Sequence, residues 1–153
     1  MQILKNVGAN LIFHIASGTP YTRYQAAAPQ GGKSSIDGSL NGANVPWQFR
    51  TDFRLDKNIE LTWGKKDSDK KKTANLNIYL QVLNLLNTRN ILNVYNYTGN
   101  PDDDGYLAST LGQTTINTTI NSTAFVDQYQ IYSNKSSNYA RPRTIRIGVL
   151  LDF

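Results

Sequence analysis

The sequence contains no cysteine, one histidine and one methionine. Disulfides and thiolate metal sites are therefore excluded, and a histidine-based zinc site has no second His beside His14. A triad would need other groups brought close to that one histidine, which reads as a hydrogen-bonded residue of the polar face. Charged residues make up 18% of the chain and hydrophobic ones 39%. A water-soluble globular domain averages about 25% and roughly 45–50%. No apolar run approaches the ~18–20 residues that cross a bilayer as a helix. Met1 to Asn10 lack the charged-then-apolar pattern of a signal peptide, so the expectation is that a signal has been removed or that the chain is a piece of something longer.

Asn, Thr, Ser, Gly and Tyr fill the shortfall, a composition suited to strands and polar loops. The net charge of +5 is concentrated in Lys65, Lys66, Lys70, Lys71 and Lys72, interrupted by Asp67 and Asp69. This run reads as a solvated turn. It lacks the interleaved aromatic or Arg residues of a nucleic-acid surface, so no nucleic-acid partner is expected.

The dominant signal is strict alternation, the signature of a strand with two unlike faces. From Trp47 to Trp63 the odd positions read Trp, Phe, Thr, Phe, Leu, Lys, Ile, Leu, Trp. The even positions read Gln48, Arg50, Asp52, Arg54, Asp56, Asn58, Glu60 and Thr62, with nothing apolar among them. Soluble strands are usually about 5–6 residues long, whereas a membrane strand needs ~9–11 with aromatic girdles at both interfaces. The same pattern recurs at Val7 to Ala16, at Asn75 to Val82 and at Thr144 to Phe153. Strands are thus predicted at roughly 6–17, 47–63, 73–97 and 141–153. The connections run long, short, long: about 18–46, 64–72 and 98–138. Outer-membrane barrels alternate external loops and periplasmic turns in this way. Within the last loop, the repeated Thr-Thr-Ile-Asn of Thr114 to Thr123 reads as an ordered polar loop or edge strand. Ser122 to Tyr132 reads as a short helix that Ser122 would cap. The fold class is all-β: about four antiparallel transmembrane strands that cannot close a barrel of about eight or more alone. One domain is the prior at this length.

Residues with chemical capability are few. His14 falls on the polar face of the first strand. Arg50, Asp52, Arg54, Asp56 and Glu60 form a charged ladder facing the lumen, where mutual neutralisation accounts for them without acid–base catalysis. No catalytic residue and no cofactor is expected, and the chain does not read as an enzyme. Asn100, Asp102, Asp104 and Gly105 match the first, third, fifth and sixth positions of a calcium loop, but Leu111 stands where the bidentate Glu belongs. An Asx-type turn is favoured there over a calcium turn using Asn100, Asp102 and Asp104. Tyr21, Tyr24 and Tyr106, with Tyr95 and Tyr97, lie in or near the long loops, where they would stack on a ligand or mark a membrane interface.

Several stretches together resemble the closing part of TonB-dependent outer-membrane receptors, especially those of Bacteroidetes. These are Ser17-Gly18-Thr19-Pro20-Tyr21-Thr22, the ladder of Arg50, Asp52 and Arg54, Val82-Leu83-Asn84-Leu85-Leu86-Asn87, and Tyr139-Ala140-Arg141-Pro142-Arg143 followed by the last strand. The resemblance implies a barrel of about 22 strands, a location in the bacterial outer membrane, and import of a glycan, peptide or metal complex. It implies as partners the remaining barrel and plug, outer-membrane lipid, a surface lipoprotein and the barrel-assembly machinery. Arg146, Gly148, Leu151 and Phe153 resemble the signal which that machinery reads. Two alternatives stand beside transport: a barrel-completing or surface-interaction subunit that transports nothing, and a soluble β-sandwich carbohydrate-binding module.

Overall fold

The computed structural model describes residues 5–27, 34–63 and 72–153. In chain order the elements are β1 (Val7–Ala16), β2 (Pro20–Tyr21), β3 (Arg23–Tyr24), β4 (Ile36–Asp37), β5 (Ala43–Asn44), β6 (Gln48–Trp63), β7 (Lys72–Leu83), α1 (Thr110–Thr118), α2 (Ser122–Ser133), a 3₁₀ turn (Ser136–Asn138) and β8 (Thr144–Asp152). Strand predominates over helix, as an all-β reading requires. The short connection expected at 64–72, with Lys65, Lys66, Lys70 and Lys71, lies outside the described residues apart from Lys72.

Two compact units divide the chain, where one domain is the sequence expectation. The first comprises 1–14, 49–88 and 141–153, and the second 15–48 and 89–140. In the first, the long strands form one sheet in the order β1-β6-β7-β8. β6 and β7 pair antiparallel from Phe53 opposite Val82 to Trp63 opposite Lys72, and β7 and β8 pair from Leu83 opposite Thr144 to Asn75 opposite Asp152. This register follows from alternation, because a one-residue slip would move every apolar side chain to the wrong face. Leu55, Leu80 and Ile147 share one row on the apolar face, and Arg54, Gln81 and Arg146 share one on the polar face. The sheet is open: β1 and β8 are its two edges. The described strands therefore do not close a barrel.

Three sequence expectations need correction. The strand predicted over 73–97 stops at Leu83. Asn84 and Asn87 take left-handed backbone angles, with φ of 55° and 54°, which ends the extended run despite the apolar residues that follow. The segment Thr114 to Thr123 is not an edge strand or a simple loop, since α1 covers its first half and α2 begins at Ser122. Its threonines send their hydroxyls back to carbonyls one turn earlier, Thr114 to Thr110 at 2.9 Å and Thr118 to Thr114 at 3.0 Å, which satisfies them within a helix. The expected helix at 122–132 exists as α2, but Asn121 caps it, its side-chain oxygen accepting from the Ala124 amide at 3.0 Å.

The second unit is held by two short ladders, β2 with β5 and β3 with β4, and by the helix pair. Gly18 approaches the Val45 carbonyl so closely that a Cβ would overlap it. The Thr19 carbonyl accepts from the Val45 amide at 3.0 Å beside it. Glycine at that position of the Ser-Gly-Thr-Pro-Tyr-Thr stretch thus has a steric cause. Among the described residues only Val45, Ala74 and Val82 are buried apolar side chains. A chain of this length that folds around its own core buries far more.

Candidate functional site

The scarcity of buried apolar side chains among the described residues makes the sheet's two faces the primary candidate. On one face, Leu11, Phe13 and Ile15 of β1, Leu55 and Leu61 of β6, Ile78 of β7, and Ile145, Ile147, Val149 and Leu151 of β8 are all exposed. Exposure is greatest on the edge strands, reaching 76% at Ile147 and 67% at Ile15. A contiguous apolar surface of this kind is far beyond what a monomer normally presents to water. Trp63, which closes the row on β6, is exposed too, as is Trp47 just before that strand. Two lysines interrupt this face: Lys57, which donates to the Lys5 carbonyl, and Lys72 at its end opposite Trp63.

The opposite face carries the predicted ladder, in which Arg50 pairs with Asp52 and Arg54 with Asp56. Asp52 is its hub. Its Oδ2 lies 3.0 Å from Arg50 Nη2 and 3.2 Å from His14 Nε2, while its Oδ1 accepts from the Asn84 amide at 2.9 Å. Arg54 Nε lies 3.8 Å from Asp56 and its guanidinium sits 4.7 Å over the Tyr79 ring. Glu60 stands opposite Asn75. Asn77 donates to Asn58 at 2.6 Å. Paired opposite charges of this kind offset one another across a sheet face.

At the upper end of β7 the Asn84–Asn87 turn ties three segments together. Asn84, 2% exposed, accepts from the Thr88 amide at 2.9 Å and donates to the carbonyls of Thr88 and Arg141 at 3.1 and 3.2 Å. Asn87 accepts from the Arg143 amide at 2.9 Å. The Leu85 amide donates to the Thr51 carbonyl at 2.6 Å. The Val-Leu-Asn-Leu-Leu-Asn stretch therefore clamps β6 and β7 to the approach of β8. Sequence reasoning marked it only through resemblance.

In the second unit, Asn100, Asp103 and Asp104 form a series of Asx turns. Asn100 accepts from the Asp102 amide and Asp104 from the Tyr106 amide, each at 2.9 Å, with Asp103 accepting from Gly105 at 2.8 Å between them. One oxygen each of Asp104 and Asp102 accepts from a tyrosine. Tyr129 donates to Asp104 at 2.5 Å and Tyr139 donates to Asp102, which also lies 3.5 Å from Arg89. No cluster of three metal-ligating side chains occurs among the described residues. Asn100 and Asp104 thus serve the loop's own backbone, while Asp102 Oδ1 is buried without a hydrogen-bond partner.

The tyrosines expected to contact ligand are engaged in packing. Tyr106 stacks on Tyr129 with ring centres 4.9 Å apart and shares a hydrogen bond with Thr115. Tyr21 lies against Gly99, and Tyr24 sits in β3 opposite Ile36, all three being half-buried. The exposed tyrosines are Tyr97 and Tyr132, of which Tyr132 carried no distinguishing sequence signal. Burial, and after it the bond to Asp104, pushes the Tyr129 phenol well above its ordinary 10.0. Burial first, then the nearby Asp102 or Asp104, also raises Tyr139 and Tyr95. A raised phenol stabilises the fold fully below 10.0 and loses that contribution as pH climbs through the raised value. Absorbance titration at 295 nm is expected to show these three of the nine tyrosines ionising last, together with loss of the loop unit's structure. Ionisation of all nine in one step near 10 with structure intact would contradict this.

Of the four residues resembling an assembly signal, Arg146 is exposed opposite Gln81, Gly148 is opposite Tyr79, and Leu151 lies opposite Leu76 on the apolar face. Phe153, just past β8, is 92% exposed. Comparison of the chain with protein-family models, curated proteins and solved structures returned no match.

Proposed function

We propose that this chain is the C-terminal part of a TonB-dependent transporter of the bacterial outer membrane, closing its β-barrel and supplying external loops for import of a glycan, peptide or metal complex. The observation that carries the reading is the open four-stranded sheet with one exposed aliphatic face and one paired polar face. Lipid and a hydrated interior are the two solvents that such a sheet matches. Strands β1, β7 and β8, of 10, 12 and 9 residues, suit a span of ~9–11 tilted residues. Two bare edges in lipid would each leave backbone groups unsatisfied, so further strands are required on both sides. Transport, as opposed to passive completion of a barrel, rests on the resemblance in the four sequence stretches.

The test is cell fractionation of the encoded protein with its whole reading frame. The expected result is recovery with outer membranes and extraction only by detergent, in a polypeptide or complex that also holds a plug. Recovery in the aqueous fraction as a monomer would overturn the membrane reading. Recovery in the membrane without any plug-bearing partner would leave the passive subunit in place of the transporter. A β-sandwich module is disfavoured because a second layer would bury the aliphatic face that stands exposed here.

A further inference from the structure

The aliphatic face holds β8 against β7 but does not say where. Its rows read Leu76, Ile78, Leu80 and Val82 on β7 against Leu151, Val149, Ile147 and Ile145 on β8. Sliding β8 by two residues would set aliphatic against aliphatic again, at almost no cost in burial or in facing. The Asn84–Asn87 clamp fixes only where β8 begins. One feature of the polar face is unique instead. Tyr79 is the sole aromatic of β7, Gly148 is the sole glycine of β8, and they stand directly opposite. A Cβ on Gly148 would land on the hydroxyl end of the Tyr79 ring, so the ring lies across the glycine's bare backbone. Arg54 covers the same ring from β6. The matching arrangement recurs at the other edge, where the Asp56 carboxylate lies over Gly8 of β1 and a Cβ there would meet it at 2.9 Å.

We infer that Tyr79 seated on Gly148 is the mid-strand register lock between β7 and β8. Gly148 is then required by its neighbour in the sheet, whether or not an assembly factor also reads it. A two-residue slip puts Arg146 or Leu150 under the ring, where neither leaves room for it. Glycine otherwise weakens a strand interior, and an aromatic laid across it offsets that weakness.

The absence of cysteine allows the register to be read by cross-linking. The full chain is folded in whichever medium supports it, detergent or buffer, so the assay is independent of the membrane reading. Leu80→Cys is combined in turn with Ile145→Cys, Ile147→Cys or Val149→Cys and treated with a short bifunctional thiol reagent. The Ile147 partner is expected to exceed either slipped partner by about tenfold, the scale of one overpacked contact. Asn87→Gly alone should keep that preference. Adding Tyr79→Ala should bring slipped products to within about threefold of the native one, whereas Tyr79→Phe should not. Gly148→Ala should cut the native cross-link in the Tyr79 chain and leave it unchanged or improved in the Tyr79→Ala chain. An equal effect of Gly148→Ala in both chains would overturn the inference, as would an undiminished native preference in the Tyr79→Ala, Asn87→Gly chain.

Discussion

Replacing Ile147 with arginine is expected to destabilise the folded chain in lipid vesicles by about 2–4 kcal/mol, the cost of a guanidinium near the middle of a lipid-facing strand. Ile147 is central in β8 and among the most exposed residues of the aliphatic face. Leu150→Arg, on the same strand but the other face, supplies the control. Its neighbour across the sheet is Asn77, and it is also largely exposed. Were both faces in water, each substitution would change stability by no more than about 0.5 kcal/mol. The expected result is thus a large difference between two sites of similar exposure in one strand. Urea titration of vesicle-folded protein measures it, and equal small effects would contradict a lipid-facing side.

The second large effect is expected at Asn84. Alanine there removes the acceptor for the Thr88 amide and the donors to the Thr88 and Arg141 carbonyls, in a site that is 2% exposed. It also forces a residue with a Cβ to hold φ near 55° without the local hydrogen bonds that make asparagine tolerant of it. Unsatisfied buried groups cost about 1–3 kcal/mol each where water does not replace the partner, and the left-handed backbone adds about 1–2. A total loss of roughly 3 kcal/mol follows, since water at the turn recovers part of the sum. Asn84→Gly separates the two causes, because it removes the side chain and relieves the backbone. It should lie between wild type and alanine. If alanine and glycine were both neutral, the turn would not be the clamp described.

The sheet was largely legible because alternation is a local signal with a physical cause. Between Trp47 and Trp63 every even position is polar, and no other regular structure separates the faces that way. The end of β7 was not legible, since Leu85, Leu86, Ile91 and Val94 continue to look like strand and only the backbone angles of Asn84 and Asn87 say otherwise. The helix over Thr110–Thr118 was hidden for a related reason. Threonine favours strands on average, and hydroxyls returning to the previous turn are invisible in composition. On the polar face, the grouping of His14 with Arg50 and Asp52 followed from placing them on the same side, but the hub role of Asp52 needed the turn at Asn84. The pairing of Asp104 with Tyr129 and of Asp102 with Tyr139 joins positions far apart in sequence, so the tyrosines first marked for ligand contact could not be told from those packed inside the loop unit.

The most direct test of the central claim is a single-cysteine spin-label scan along Thr144–Asp152 in protein folded into vesicles, reading collision with oxygen and with a water-soluble nickel chelate. Oxygen access should peak at 145, 147, 149 and 151, with chelate access restricted to the positions between. Chelate access at the odd positions, or an odd row shielded from both reagents, would contradict acyl-chain contact and with it the barrel.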